Sequence, residues 1–347
     1  MHNNDPHRVD DTLAAPQQVL MQMTLGMWVT QAVATAARLG IADFLAQSAP
    51  QDSTTMARAV GADAAALARL LRTLVSLGVL AEPVPHQYAL TSVGALLRSD
   101  VASSMRDWLI AETDTPHWQA WGQFHEGVRS GRTVVPDLFG MHIYDYYAGH
   151  PEDLARFSRA MGNMSALAAA GTIQHYDFSH ARHIVDVGGA HGDLLLSILN
   201  ANPHARGTVF DRPHVVEAAR QAIQAKGYEE RCEAIGGDFL AGVPPGGDLY
   251  VLKFILIDWR DAEALRILQN CRAAVTPAGK VLVIEMTIPD DNQASPGQLM
   301  DLNMFVMTGG QERTQSQYGA LLAQAGFRLT RIIPTGSPFH ALEAVAV

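Results

Sequence analysis

From Phe178 to its end the chain alternates short β-branched runs with Ala- and Leu-rich stretches: HIVDVGG, DLLLSILNANP, GTVFD, VVEAARQAIQAKG and CEAIGGDF. The series continues through GDLYVLKFIL, ALRILQNCRAAV, KVLVIEM, a helix around QLMDLNMFVM, YGALLAQAGF, LTRIIPTG and ALEAVAV. Apolar strands of this kind must be covered on both faces, so the spacing predicts a mostly parallel sheet with helices on both sides. Residues 178–347 therefore read as a doubly wound, Rossmann-like α/β domain. Such a sheet places its ligand outside the carboxyl ends of the strands, and the candidate site residues are sought there.

Residues 17–177 read as mostly helical. The first stretch, about Gln17 to Gln47, is rich in Ala, Leu, Met and Val, with Met21, Leu25, Trp28 and Ala32 at helical spacing. Asp52 and Asp63 stand where N-caps belong, the second ahead of a helix that stops at Gly78, and VLAEPVPHQYALT reads as a hairpin. Together they make a winged-helix-like unit. A DNA-binding regulator is the obvious reading of that unit, but its second helix offers only Arg69 and Arg72 among apolar residues. The whole chain carries 25 Lys and Arg against 35 Asp and Glu, a formal charge of -10, which argues against a nucleic-acid footprint. From about Val101 to Gln174 the pattern is helical again. Trp108, Trp118, Trp121, Phe124, Tyr144, Tyr146, Tyr147 and Phe157 supply enough rings there for an aromatic pocket wall. Residues 1–16 read as a flexible N-terminus without a signal pattern, and no apolar run is long enough to span a bilayer. With only Cys232 and Cys271, a reducing cytoplasm is the expected home, with no membrane partner.

The strongest local motif is Asp186-Val187-Gly188-Gly189-Ala190-His191-Gly192, between an apolar strand and a helix. Glycines there let backbone turn sharply and approach a ligand, as in dinucleotide, flavin and S-adenosylmethionine sites alike. Asp186 tips the choice, because its carboxylate can hold an amino group but repels a pyrophosphate. Asp211 closes the next strand about twenty residues on, where an acid accepts ribose hydroxyls. Gly237-Asp238-Phe239 follows, an acid for an adenine amino group beside a ring for its face. Three acids at successive strand ends point to a nucleoside cofactor.

These motifs, with FDRPHVVEAA, LKFILIDWRDAEALRILQNC, VIEMTIP, MDLNMFVMTGGQERT and LLAQAGFRLTRIIPTGSP, resemble the plant caffeic-acid-type and bacterial small-molecule O-methyltransferases. The resemblance covers most of the chain and is nearest in character to the bacterial phenazine methyltransferases. It implies S-adenosylmethionine as cofactor, a homodimer formed through the N-terminal helices, and a small aromatic substrate. The cofactor set it implies is Asp186, Gly188, Gly189, Asp211, Arg212, Asp238, Phe239 and Lys253, with Trp259 beside the adenosyl group. Met161, Asn163 and Met164 before the catalytic domain, and Asn303, Met304 and Met307 late in it, fall where family members line the substrate pocket. Methionines at helical spacing are also ordinary core. No metal is expected.

One position departs from the family. Where relatives read L-H-D-W, this chain has Leu256-Ile257-Asp258-Trp259, so the catalytic base is missing. Ile257 has no atom that can accept a proton. The two carboxylates that flank the base in the family have counterparts in Glu285 and Glu312, whose usual task of steadying a histidine has no recipient. Three readings follow. Alignment alone could drive transfer, since effective molarities reach roughly 10⁵ to 10⁸ M while a general base adds ~10² to 10⁴. Another base could serve, with His191 inside the glycine turn as the first candidate, His117, His142 and His340 as others, and Glu312 if burial raised its pKa. Or the chain could transfer to nitrogen, or use the cofactor without methylating, as a hydroxylase, decarboxylase or pericyclase.

Overall fold

The computed structural model describes residues 15–48, 50–101, 103–291 and 293–347. The expected flexible start lies almost wholly outside them. The chain forms two compact units, one of residues up to Trp118 with Glu152–Asn163, the other of Gln119–Pro151 with Met164–Val347.

In the first unit the helix Pro16–Arg38 buries only Ala34, Ala36 and Ala37 near its end. Its earlier turns leave Leu20, Met21, Met23, Met27 and Trp28 at least half exposed. The two expected caps are present: Asp52 accepts hydrogen bonds from the Thr54 and Thr55 amides, and Asp63 from that of Ala66. Helix Ala64–Ser76 turns Leu67, Leu71 and Leu74 inward against Ile41, Leu45 and Met56, leaving Arg69 and Arg72 outside. Strands β1 (Gln51–Asp52), β2 (Leu80–Val84) and β3 (Gln87–Leu90) complete the winged-helix-like unit as an antiparallel sheet ordered β1-β3-β2.

The second unit is built on the sheet that the alternation predicts. Its strands are β4 (His183–Val187), β5 (Arg206–Asp211), β6 (Cys232–Gly236), β7 (Leu249–Lys253), β8 (Lys280–Ile288), β10 (Phe327–Pro334) and β11 (Phe339–Ala346), with a two-residue β9 (Arg313–Thr314) against the end of β8. The order is β10-β11-β8-β7-β4-β5-β6. β4 through β8 pair in parallel, and only β11 runs antiparallel to both its neighbours. From β4 the chain winds outward through β5 and β6, then returns to β7 on the other side. The carboxyl ends of β4 and β7 thus flank the switch point where an α/β sheet binds its ligand. Val185, Val187, Tyr250, Leu252, Val281 and Val283 fill the core with Tyr318, Leu322 and Phe327.

The first strand of this unit starts at His183, after Phe178, and the unit takes in earlier residues as well. The segment from Gln119 belongs to it because the Trp121 indole donates to Asn303 Oδ1 (2.8 Å) and Thr133 Oγ1 donates to the Val306 carbonyl (2.5 Å). Helix Pro151–His175 joins it from Met164 onward. Among the described residues no helix is long and apolar enough to cross a membrane.

Candidate active site

Beyond β4 the chain makes its tightest turn. Gly188 and Gly192 have φ of +73° and +79°, and Ala190 between them is left-handed as well. A Cβ on Gly188 would lie 2.2 Å from Ile255 Cδ1, and one on Gly189 2.8 Å from the Asp186 carboxyl, so neither position accepts a side chain. The Ala190 amide donates to Asp211 Oδ2 (2.9 Å) and the Arg212 amide to Asp211 Oδ1 (2.7 Å). These bonds fix the carboxylate ending β5 beside the glycine turn. The Gly237 amide donates to the Asp211 carbonyl, which draws the loop after β6 to the same place. There Asp238 Oδ1 caps the Leu240 amide (2.9 Å), and Phe239 meets Trp259 edge to face at 5.8 Å.

Asp186 is the most telling member of the set. It is 2 % exposed, and its Oδ2 has no partner among the described residues. Burial pushes its carboxyl up to about 6 against the pull of Lys253. Lys253, ending β7, is itself held below its ordinary value by burial, and its ammonium donates to Ser165 Oγ. A buried carboxylate oxygen without a partner is costly, and a cationic amine arriving at the turn would satisfy it. The glycine cradle, the orphaned acid and the ring pair beside Asp238 together fit a nucleoside that carries an amino acid.

The turn at Ile257 lies past the end of β7. Residues Leu256–Asp258 form one 3-10 turn, held from two sides. Glu285 Oε1 accepts the amides of Ile255 (3.1 Å) and Leu256 (2.7 Å), while its Oε2 accepts the Tyr318 hydroxyl. The Arg313 guanidinium, 1 % exposed, donates to the carbonyls of Leu256 (2.9 Å) and Trp259 (2.8 Å) and to Asp261. The Gln311 amide closes on the Ile257 carbonyl (3.0 Å). Glu285, with no histidine to steady, holds the backbone of the turn.

Glu312 differs. Its amide donates to Asp301 Oδ1, its side chain is buried, and its Oε2 has no partner among the described residues. Burial pushes this carboxyl far above the carboxylate range, and Glu285 and Asp301 push it further, with Arg313 opposing. At neutral pH it keeps its proton and can donate rather than accept. Such a group makes the folded state bind more protons than the unfolded chain, so its contribution to stability falls as pH rises above the ordinary carboxylate range. Glu312→Gln is expected to lessen the loss of stability between about pH 6 and pH 9 in the ligand-free protein. Urea midpoints at both pH values would show it, and equal losses in variant and wild type would refute it.

The other expected residues divide. His191 is exposed in the glycine turn and has no hydrogen-bond partner among the described residues, so nothing ties it to the Ile257 turn. Asn303 is engaged by Trp121, and Met304 beside it is half-buried. Met307 and Met164 are 4 % and 7 % exposed and pack as core. Met161 and Asn163 belong to the first unit, where the Asn163 amide donates to the Ser104 carbonyl (2.7 Å).

Sequence reasoning missed one pair. The Tyr144 hydroxyl donates to Asp258 Oδ1 (3.3 Å), and the His142 ring lies 5.5 Å from that of Tyr144. Tyr144 and Asp258 are both exposed to solvent, with protein packed around them. The crowding pushes Asp258 up to about 6. Among the described residues no cluster of His, Cys, Asp or Glu is placed to hold a metal ion.

A winged-helix-like unit joined to a switch-point site of this kind defines the S-adenosylmethionine-dependent small-molecule methyltransferases. Residues 121–328 match the O-methyltransferase domain and residues 21–100 the O-methyltransferase dimerisation domain. The chain belongs to this O-methyltransferase family, and its cofactor is S-adenosylmethionine. It is 39% identical to the phenazine O-methyltransferase PhzM of Lysobacter antibioticus, over 94% of this chain and 95% of that one. It is 35% identical to the mitomycin biosynthesis 6-O-methyltransferase of Streptomyces lavendulae, over 95% of each chain. The structure of CalO1, a methyltransferase of calicheamicin biosynthesis in its S-adenosylhomocysteine-bound form, matches with a TM-score of 0.87 at 33% identity, covering 96% of this chain and all of that one.

Proposed function

We propose that this enzyme methylates a hydroxyl oxygen on a small fused aromatic of secondary metabolism, phenazine-like in size and electronics, and that alignment rather than a histidine base drives the transfer. The observation that carries this is Ile257 itself. It sits in a turn whose backbone is fixed by Glu285 and Arg313, so the family's base position is occupied by an apolar side chain with its setting intact. Bound S-adenosylmethionine supplies an electrophilic methyl group on a sulfonium centre. Asp186 would take the ammonium of its amino-acid end, Asp211 the ribose hydroxyls, and Asp238 with Phe239 and Trp259 the adenine. Lys253 keeps Asp186 partly ionised, while Ile257 and Met304 give a flat ring an apolar surface. The two relatives named above belong, by their names, to phenazine and mitomycin chemistry, which supports a fused aromatic acceptor. Transfer to a ring nitrogen is the second reading, favoured by the same Ile257, because a nitrogen lone pair needs no proton removed.

The exposed apolar face of helix Pro16–Arg38, most of which lies in the matched dimerisation domain, supports a homodimer through the N-terminal helices. The proposed setting is the cytoplasm.

The test is calorimetric titration with S-adenosylmethionine and S-adenosylhomocysteine, then mass spectrometry on hydroxyphenazines, hydroxyquinones and simple phenols. A gain of one methyl on a fused ring supports the reading. Tight cofactor binding with no product across the panel would shift the weight to a use of the cofactor without methylation. Ile257→His is expected to extend turnover toward weakly acidic phenols by ~10²-fold, the lower end of what a general base contributes. An unchanged acceptor range, measured as relative kcat/KM, would count against alignment-driven transfer.

A further inference from the structure

We propose that Asp258 accepts the proton of the substrate hydroxyl, that Tyr144 is its positioning residue, and that the substrates are hydroxyls acidified by a conjugated ring nitrogen or carbonyl. This rests on the function proposed above and adds a proton acceptor to it.

The argument runs through the groups around the vacant base position. Glu285 is fully buried and both its oxygens are engaged by the Ile255 and Leu256 amides and the Tyr318 hydroxyl. Glu312 is buried and holds its own proton at neutral pH. His191 has no link to the turn. Asp258 is the residue after Ile257 in the same 3-10 turn, and it faces out where Leu256 faces in. Its Oδ1 takes the Tyr144 hydroxyl, and its Oδ2 has no partner among the described residues. It is thus the carboxylate of this group that is both unspent and open to solvent.

The groups facing it set its basicity. Tyr144 and His142 come from the segment beside it, Glu285 from β8, and Glu312 and Arg313 from the chain entering β9, with Arg212 near Tyr144. Crowding raises the carboxyl to about 6, while Tyr144 and His142 pull it back. A base works best when its pKa lies near the operating pH. Against an ordinary phenol near 10, proton transfer to such a group is uphill by ~10⁴ in equilibrium constant. Against a hydroxyl of acidity near neutral it is almost level, which selects the electron-poor acceptors. In the step, the acceptor O–H bond breaks, its proton goes to Asp258 Oδ2 and its electron pair stays on the oxygen; that oxygen forms the new bond to the methyl as the methyl–sulfur bond breaks, with that bond's pair left on sulfur in the departing S-adenosylhomocysteine. The proton then leaves to water through the open side of the carboxylate.

The experiment compares kcat/KM against pH for wild type, Asp258→Asn and Tyr144→Phe, using 1-hydroxyphenazine and the fastest acceptor of the screen, with S-adenosylmethionine affinity measured for each. Asp258→Asn should lose ~10-fold to 10²-fold in kcat/KM at neutral pH, more for less acidic acceptors, and should lose the acid limb near pH 6, with cofactor affinity kept. Tyr144→Phe removes a hydrogen bond that favours the charged carboxylate, so its acid limb should move to higher pH. Wild-type rate and limb in Asp258→Asn would overturn this assignment while leaving the proposed function standing. Absence of any wild-type product would overturn the proposed function, and this assignment with it.

Discussion

Asp186→Asn should weaken S-adenosylmethionine binding by ~10²-fold while making the ligand-free protein more stable. The two effects have opposite signs because the same carboxylate causes both. In the ligand-free protein the buried acid has an unpartnered oxygen and a carboxyl raised to about 6. Above that pH it is a buried charge compensated only in part by Lys253. A raised carboxyl favours folding below its unfolded pKa, and that advantage is lost as pH rises through the folded value. Asparagine keeps the shape and removes the charge, so the loss disappears. On the proposed reading, the cofactor's ammonium would pair with the same carboxylate in a charge-assisted bond worth about 1.5 to 3 kcal/mol. Wild-type affinity should therefore fall below about pH 6, as the carboxyl protonates, and the asparagine variant should lack that dependence. Calorimetry across pH and thermal unfolding without ligand read both effects. Affinity within threefold of wild type would remove Asp186 from the cofactor site.

A second large effect is expected at the N-terminal helix. Leu20→Glu combined with Trp28→Glu should raise the dissociation constant of the proposed dimer by ~10³ or more. Leu20 and Trp28 are 65% and 61% exposed, with Met21 and Met23 beside them. So much contiguous apolar surface on one helix marks an interaction face. Two-fold symmetry counts each substitution twice, and buried aromatic anchors at interfaces cost about 2 kcal/mol or more when lost. Sedimentation at micromolar concentration would show a monomer with unchanged helix content. A variant that still sediments as a dimer would place the interface elsewhere.

The sequence disclosed what depends on local rules. The strands after Phe178 follow from side-chain period, the caps at Asp52 and Asp63 from short-range hydrogen bonding, and the glycine turn from φ values that side chains disfavour. Acids at the ends of β4 and β5 were legible because strand ends and acid types coincide. What stayed hidden depends on long-range pairing. The unit boundary is set by contacts such as Trp121 to Asn303, which no local pattern encodes. Glu285's hold on the turn was hidden because its bonds go to backbone amides, which look the same in every sequence. Met164 and Met307 carry the same helical spacing whether they wall a pocket or fill a core. Tyr144 and Asp258 stand 114 positions apart, so their pairing required the fold.

Arg313 has one further consequence. With Glu285, it fixes the turn at Ile257 entirely through main-chain atoms and Asp261, making no demand on the side chain at 257. Selection can therefore exchange that side chain without disturbing its surroundings. A lineage can give up a histidine there, test an isoleucine, and later reverse the change, while fold and cofactor site persist. Chemical diversification around this turn is uncoupled from the integrity of the scaffold, which gives a pathway room to acquire new acceptors one substitution at a time.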